Sequence, residues 1–339
     1  MLEVELDIFS GRANPRWMLT KKEEQELVDR IAATPEQVAP VAENIALLGL
    51  GYRGLIVRSV KSDDGPWEKY QHTRHIPNEF RVGVRSPDRA TIADWLLKTS
   101  AVKRGTVADE LLDVASRGVI LHNPPAMNLL GEDERSAVTA PSEFAHFPAV
   151  AGDDAEAPIQ PGTKTHTLVK EARGQNWWAC SSNYFSTEFE SWSLPPAVWN
   201  NNCYCYASNH RANIRFATPG KRGGQPAAFM SVPAVTAGLY ADGWRDGCQP
   251  NGLTIALVVW PDWDFHFYRL VIGSPKWMWF HKMGTAPVSN TDACGNLLRL
   301  YKDPFTGGYF GYGPANCCRD DYTDFGGYFY QNNYTAYVA

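Results

Sequence analysis

The stretch that decides the fold is a run of eight residues in the C-terminal half, Leu253-Thr254-Ile255-Ala256-Leu257-Val258-Val259-Trp260. Thr254 is its one polar residue, and turn-forming residues bound the run on both sides, Asn251-Gly252 before it and Pro261 after it. A short, continuous apolar run between turn signals is typical of a strand that is buried on both faces. We therefore predict that residues 253–260 form a core strand of a sheet.

Two further strands are expected directly after this one, over residues 265–272 and 276–282, joined into a hairpin at Gly273-Ser274-Pro275. A two-residue turn at Gly273-Ser274 would place His266 directly opposite His281. Pro275 lacks the N–H that closes such a turn, so a register slipped by one residue is an open alternative. The pattern predicts an antiparallel sheet in which the two histidines are neighbours.

A helix that carries a thiol precedes the core strand, in the sequence Asn200-Asn201-Asn202-Cys203-Tyr204-Cys205. The asparagines supply an N-cap, and the helix is expected to run to about Asn213, followed by a flexible loop over 216–224. The helix dipole and the unpaired N–H groups of the first turn favour a thiolate at Cys203. Cys205 points about 200° away around the helix, so only one of the two thiols can face the sheet. We expect Cys203 to be a reactive cysteine.

This order resembles the papain-like thiol hydrolases, and most closely their NlpC/P60 and CHAP amidase branch. The shared order is a capped helix that begins with cysteine, a buried strand, a strand with histidine and a polar residue on the next strand. The resemblance implies Cys203 as nucleophile, His266 as general base and His281 as the residue that orients the base. Asp264 and Asn290 are the alternatives to His281.

The same resemblance covers about residues 195–285 and implies an amide hydrolase or acyltransferase. Its expected substrate is a peptide, glycopeptide or peptidoglycan-like molecule, and no metal or organic cofactor is expected. Two N-terminal segments are similar to segments of uncharacterised bacterial proteins, which imply no function: Leu6-Asp7-Ile8-Phe9-Ser10-Gly11-Arg12 and Gly49-Leu50-Gly51-Tyr52-Arg53-Gly54.

A second hypothesis treats these residues as structural and the protein as a binding module. Cysteine is among the most buried residue types, and a histidine between two phenylalanines can be a hydrogen-bonded core residue. The C-terminal half is rich in tryptophan, whose rings suit sugar faces when Asn or Asp lies beside them. The alternative function is a non-catalytic carbohydrate- or protein-binding module with an aromatic-rich surface. The candidate substrate-binding residues are Trp199, Asn202, Trp263 and Asp264.

The N-terminal part has the pattern of a small α+β domain over residues 1–120. Apolar residues alternate over 2–9, and Thr20 precedes an amphipathic pattern over 21–33, so a strand and a capped helix are expected there. A cap and a proline at Thr34-Pro35 predict a second helix, ending near Gly49. Further strands are expected within 51–60 and 80–84, and helices over 91–99 and 106–116, the last ending at Gly118.

A change in composition separates this domain from the rest of the chain. Residues 121–164 are rich in proline and alanine and show little periodicity, which predicts a connector. Residues 165–339 are dense in aromatic residues and turn signals, which predicts a β-rich domain. The fold class expected for the whole chain is therefore α+β, with two domains, the second containing an antiparallel sheet and a helix with cysteine as in papain-like proteins.

The net charge of −5 argues against a nucleic-acid partner or a basic membrane surface. No apolar stretch of about 18 residues occurs, so no membrane partner is expected. The N-terminus opens with acidic alternation instead of a signal-peptide pattern, which predicts a cytoplasmic protein or one exported without a classical signal. The sequence carries no signal for an oligomeric state.

All seven cysteines lie after residue 179, and an odd number leaves at least one of them unpaired. Without a signal peptide, we expect the thiols to stay reduced. The Cys203-Tyr204-Cys205 spacing does not match a zinc site, so no metal site is expected. The adjacent Cys317 and Cys318 are interpreted either as a vicinal disulfide or as two small, partly buried residues, the second being favoured.

Overall fold

The computed structural model describes residues 1–41, 50–60, 77–84, 91–101, 107–122, 167–170, 176–180, 189–273, 276–302 and 309–339. The chain is α+β and divides into two compact units. The C-terminal unit also includes Phe9–Ala13, Leu50 and Gly51, although the residues that flank them in the chain belong to the N-terminal unit. The predicted connector lies outside the described residues from residue 123 onward, and the predicted domain bounds stay predictions.

The N-terminal unit contains a four-stranded antiparallel sheet in the order β2-β1-β3-β4. Leu2, Val4 and Leu6 are fully buried, as the apolar alternation predicts. Asp7 follows β1 and binds Arg53 and Arg81 at 2.8 and 2.7 Å. Burial alone would raise the pKa of Asp7, but these two guanidinium groups hold it well below its usual value. The strands are β1 (Leu2–Leu6), β2 (Arg16–Met18), β3 (Leu55–Ser59) and β4 (Glu79–Val82).

The α-helices among the described residues of this unit are α1 (Lys21–Ala33), α2 (Thr91–Ala101) and α3 (Asp109–His122). The predicted cap of α1 is confirmed, since the Thr20 and Glu23 side chains form a capping box.

Two predictions about helices in this unit are wrong. The helix predicted from residue 34 is a single 3-10 turn, Pro35–Gln37, because Val38 is extended and Ala39 forms a bridge with Arg81. Residues 42–49 lie outside the described residues. Helix α3 continues through Gly118, where we predicted its end. A Cβ on this glycine would lie 2.5 Å from the ring of Tyr52, so the glycine permits close packing and does not end the helix.

The C-terminal unit contains a larger antiparallel sheet in the order β12-β11-β9-β8-β7-β13, with β10 also paired to β9. The predicted core strand is confirmed as β7, every residue of which is buried. It lies between two other strands and therefore has no free edge. The strands are β7 (Gly252–Trp260), β8 (Asp264–Gly273), β9 (Lys276–Lys282), β10 (Val288–Ser289), β11 (Arg299–Lys302), β12 (Tyr309–Gly311) and β13 (Asp324–Asn332), and a separate hairpin contains β5 (Thr167–Lys170) and β6 (Asn176–Ala179).

The β8–β9 hairpin has a different register from the predicted one. Gly273 pairs with Lys276, so Tyr268 and not His266 lies directly opposite His281. The predicted register was wrong by two residues. Because side chains alternate between faces with a period of two, this shift leaves both histidines on the same face of the sheet.

Four helices of the C-terminal unit are described: α4 (Phe189–Trp192), α5 (Ala197–Asn200), α6 (Cys203–Ala207) and α7 (Val232–Ala241). The predicted N-cap of α6 is confirmed, because the Asn202 side chain accepts a hydrogen bond from the N–H of Cys205. The helix is shorter than predicted and ends at Ala207. Asn209 has the left-handed backbone angle φ of 50°, which is incompatible with a continuing helix.

Candidate functional site

The two faces of the central sheet carry different residues. On the first, which we call the helix face, Leu257, Phe265 and Phe267 pack in one cluster with Cys203 and the rest of α6. On the second, the histidine face, His266 lies between the alternating Phe265 and Phe267, so its side chain points away from α6. A thiol on the first face and an imidazole on the second are separated by the backbone of the sheet.

The Cys203 side chain is sealed in the core. It is fully buried, and its Sγ lies 3.8 Å from the carbonyl oxygen of Phe265. Burial raises the pKa of the Cys203 thiol well above its usual value, and the nearby Asp264 carboxyl raises it further. Burial therefore acts against the thiolate that the helix terminus is expected to favour at Cys203. The effect of a five-residue helix terminus is smaller than the cost of placing a thiolate among apolar side chains.

His266 and His281 form a hydrogen-bonded pair on the histidine face. His266 Nε2 and His281 Nδ1 are 2.8 Å apart, and His281 Nε2 lies 2.7 Å from the carbonyl oxygen of Thr291. A carbonyl only accepts, so His281 Nε2 carries the hydrogen and donates to it. For a neutral His281 ring, Nδ1 is then an acceptor, and His266 donates from Nε2. Both rings are fully buried, and Tyr268 stacks on His281 with 4.8 Å between ring centroids.

The structure does not bring Cys203 and His266 together as a nucleophile and its base. Such a pair needs side chains within about 3 Å of each other. Here the Cys203 side chain packs against the helix face, whereas the His266 side chain lies on the histidine face. Both side chains are fully buried. The predicted partner His281 does contact His266, but on the face away from the thiol.

The predicted substrate-binding residues fall into two groups. Asp264 and Asn202 are fully buried and hold the segment Phe9–Ala13 within the C-terminal unit. The Asp264 carboxylate accepts from the N–H of Ser10 at 2.6 Å, and Asn202 donates to the carbonyl of Gly11 at 2.9 Å. Neither is therefore available to a ligand.

Trp263 and Trp199 are the two candidates that reach the surface. Trp263 is partly exposed and contacts the ring of Trp260. Trp199 is 54% exposed at the end of α5. Asn290 is the other residue proposed to orient the base. Its amide nitrogen lies 3.8 Å from the sulfur of Met278.

Two disulfides correct the prediction that the thiols stay reduced. Cys180 is bonded to Cys248, and Cys294 to Cys318. Cys203, Cys205 and Cys317 are free and buried. The two cysteines form no vicinal disulfide, but the favoured alternative of two small, partly buried residues holds only for Cys317, because Cys318 is bonded to Cys294. Burial raises the pKa of Cys317 to about 12.

A surface that the sequence analysis missed lies around the loop Thr218–Gln225, which carries Lys221 and Arg222. We predicted part of this loop to be flexible, but buried Asp242 accepts hydrogen bonds from two of its N–H groups. The signal available in the sequence was the complete lack of Asp and Glu over residues 191–241. The net charge of the whole chain does not reveal this local lack of carboxylates.

The chain was compared with known proteins. No protein-family model matches it, and neither does any solved structure. Insoluble matrix shell protein 1 of Ruditapes philippinarum is 38% identical to it over 118 residues, which make up 77% of the shell protein and 33% of this chain. The chain belongs to the family of that shell protein. The match takes in a third of the chain, so the remainder has no counterpart in this relative.

No helix in the described ranges is long and apolar enough to cross a membrane.

Proposed function

We propose that this protein is a non-catalytic, carbohydrate-binding constituent of an insoluble extracellular matrix. The observation that carries the proposal is its shared family with Insoluble matrix shell protein 1, whose name places that relative in a matrix. The proposal extends this setting from the matched third of the chain to the whole protein.

The two disulfides support an extracellular setting. Disulfides form and persist in oxidising compartments and are rare in the cytosol. Cys180–Cys248 closes a loop of 68 residues and Cys294–Cys318 one of 24 residues, so both constrain the C-terminal unit. Export therefore explains the cysteine pairing better than the cytoplasmic location that the sequence analysis left open.

The interior of the C-terminal unit supports a role without catalysis. The thiol of Cys203 is sealed on the helix face, and the His266–His281 pair is sealed on the histidine face. Each group has a packing or hydrogen-bonding role where it lies. A core of this kind stabilises a binding surface and requires no substrate access.

The carbohydrate contact that we propose is Trp199. This ring is 54% exposed, and on the same turn Leu194 is 61% exposed. An exposed indole offers a flat apolar face to the C–H face of a sugar and a polar N–H at its edge. The fixed backbone of the turn, in which the N–H of Val198 donates to the carbonyl of Leu194, presents the ring without a disordered loop.

Sedimentation with insoluble polysaccharides tests the proposal. The purified full chain is mixed with cellulose or chitin particles at physiological salt, and the bound fraction is measured in the pellet. We expect binding by the wild type and a loss of several-fold in Trp199→Ala. Phe229→Ala is the matched control, because Phe229 is also an exposed ring, at 73%. Sedimentation with neither polysaccharide would contradict the proposal.

A papain-like thiol hydrolase is the second candidate, and chain order favours it. The Asn202 cap, the Cys203 helix and the histidine pair follow one another as they do in that superfamily. This mechanism would require the Cys203 sulfur to reach solvent and to find a base on its own side of the sheet. Amide hydrolysis by the wild type that disappears in Cys203→Ser would establish it over the binding role.

A further inference from the structure

One stretch of the C-terminal unit carries cations and no carboxylate. The protein has a net charge of −5, yet no Asp or Glu occurs between Glu190 and Asp242. Within that stretch, Lys221 and Arg222 are exposed at the tip of one loop. The cations in the stretch are Arg211, Arg215, Lys221 and Arg222.

The loop that carries these two cations is held from beneath by a buried carboxylate. Asp242 accepts hydrogen bonds from the N–H groups of Gly220 and Gly223 at 2.7 and 2.8 Å, and from the Tyr204 hydroxyl at 2.7 Å. The N–H of Gln225 closes the loop by donating to the carbonyl of Gly220. Gly220 has a φ of +85°, and a Cβ there would lie 1.9 Å from the carbonyl oxygen of Gln225. The loop is therefore preorganised, and the cations project from a fixed backbone.

An aromatic side chain lies directly beside the loop. The Arg222 guanidinium stands 4.7 Å from the ring centroid of Tyr337 and donates to the carbonyl of Thr335 at 3.2 Å. The His210 ring meets the same tyrosine at 4.8 Å. Tyr337 is 45% exposed. A cation and an accessible ring are thus held side by side by contacts within the protein.

We infer that Lys221, Arg222, His210 and Tyr337 form a binding surface for a sulfated polysaccharide. The guanidinium and ammonium groups match the sulfate oxygens, and the exposed part of the tyrosine ring matches the apolar face of a sugar. No Asp or Glu of residues 191–241 repels a polyanion from this loop, because the stretch contains neither residue. The inference deepens the proposed matrix function and rests on it for its setting.

Binding of dextran sulfate to the full chain tests this surface, with neutral dextran as the reference polymer. The affinity is measured over a series of NaCl concentrations. We expect Lys221→Gln/Arg222→Gln to weaken binding about tenfold at low salt, and to make the dependence on salt shallower because fewer counterions are released. Lys21→Gln/Lys22→Gln removes the same charge from two exposed, adjacent lysines in α1 and should bind like the wild type. Tyr337→Leu should weaken binding without changing the salt dependence.

Equal weakening by both double variants would overturn the inference, because binding would then follow net charge. Full competition by polyaspartate at equal charge would also overturn it, since an acidic polypeptide would then be an equally good occupant. Thermal melts of each variant separate a loss of binding from a loss of fold. If the protein sediments with cellulose or chitin through Trp199 but does not bind dextran sulfate, the proposed function stands and the inferred sulfated-polysaccharide surface is refuted.

Discussion

Replacing His266 with leucine distinguishes a structural histidine pair from a catalytic one. The substitution removes the donor to His281 Nδ1, which lies 2.8 Å away and is fully buried. A buried acceptor left without its partner costs about 1–3 kcal/mol. The branched leucine side chain also fits the site of the flat imidazole ring imperfectly, which adds about 1 kcal/mol. We expect His266→Leu to lower the free energy of unfolding by about 2–4 kcal/mol.

Urea unfolding followed by tryptophan fluorescence and far-UV circular dichroism measures this change. His266→Gln is the matched control, because its amide nitrogen reaches as far as Nε2 and restores a donor to His281. It should recover about 1–2 kcal/mol of the loss. The difference between the two variants isolates the hydrogen bond from the packing, provided that both variants unfold with the same slope against urea.

A different result would refute the structural role. If His266→Leu unfolded like the wild type, the pair would contribute nothing to stability. If, in addition, the same variant slowed alkylation of Cys203 several-fold, His266 would be acting on the thiol. That outcome would restore the hydrolase as the better function.

Three further predictions follow from burial and covalent structure. In mass-resolved iodoacetamide labelling, Cys203 should react slowly at pH 7 and rapidly once urea is added, because burial raises its pKa; fast, selective reaction at pH 6 would contradict this. Replacing both Cys180 and Cys248 with alanine opens a loop of 68 residues and should lower the free energy of unfolding by about 4 kcal/mol, measured in urea. A variant as stable as the oxidised wild type would argue against that bridge. Burial and nearby carboxylates raise the pKa of Asp320 to about 6, so its ionised form disfavours the fold above that pH and the penalty disappears as the pH falls toward 4. Asp320→Asn should therefore raise the free energy of unfolding in urea by about 1 kcal/mol at pH 7, a value reduced to allow for the side chain's exposure, and leave it unchanged at pH 4.

Local features of the sequence were sufficient to predict several elements of this fold. The continuous apolar run predicted β7, since a strand covered on both faces of its sheet has no solvent-facing positions that favour polar side chains. Thr20, a residue type that caps helices, predicted the start of α1. The period of two along β8 and β9 placed His266 and His281 on one face, and this conclusion survived an error of two residues in the register. These properties depend on neighbours within a few residues, which the sequence contains directly.

The candidate site could not be predicted in the same way. The N-cap beside Cys203 is a local feature and was predicted correctly, but the thiol pKa depends on the apolar side chains that pack around it from other elements. Which face of the sheet α6 covers is likewise set by packing, and it separates Cys203 from His266.

Long-range contacts decided the rest. Cys180 pairs with Cys248 and Cys294 with Cys318, and the number and spacing of cysteines do not specify such partners. The loop with Lys221 and Arg222 looked flexible because it is rich in glycine, but a carboxylate about 20 residues further along the chain orders it. Sequence alone determined several of the elements and the alternation of side chains along the strands, because those follow from backbone geometry. Tertiary structure decided which groups are buried and which meet, because desolvation and hydrogen bonding depend on residues that are distant in the chain.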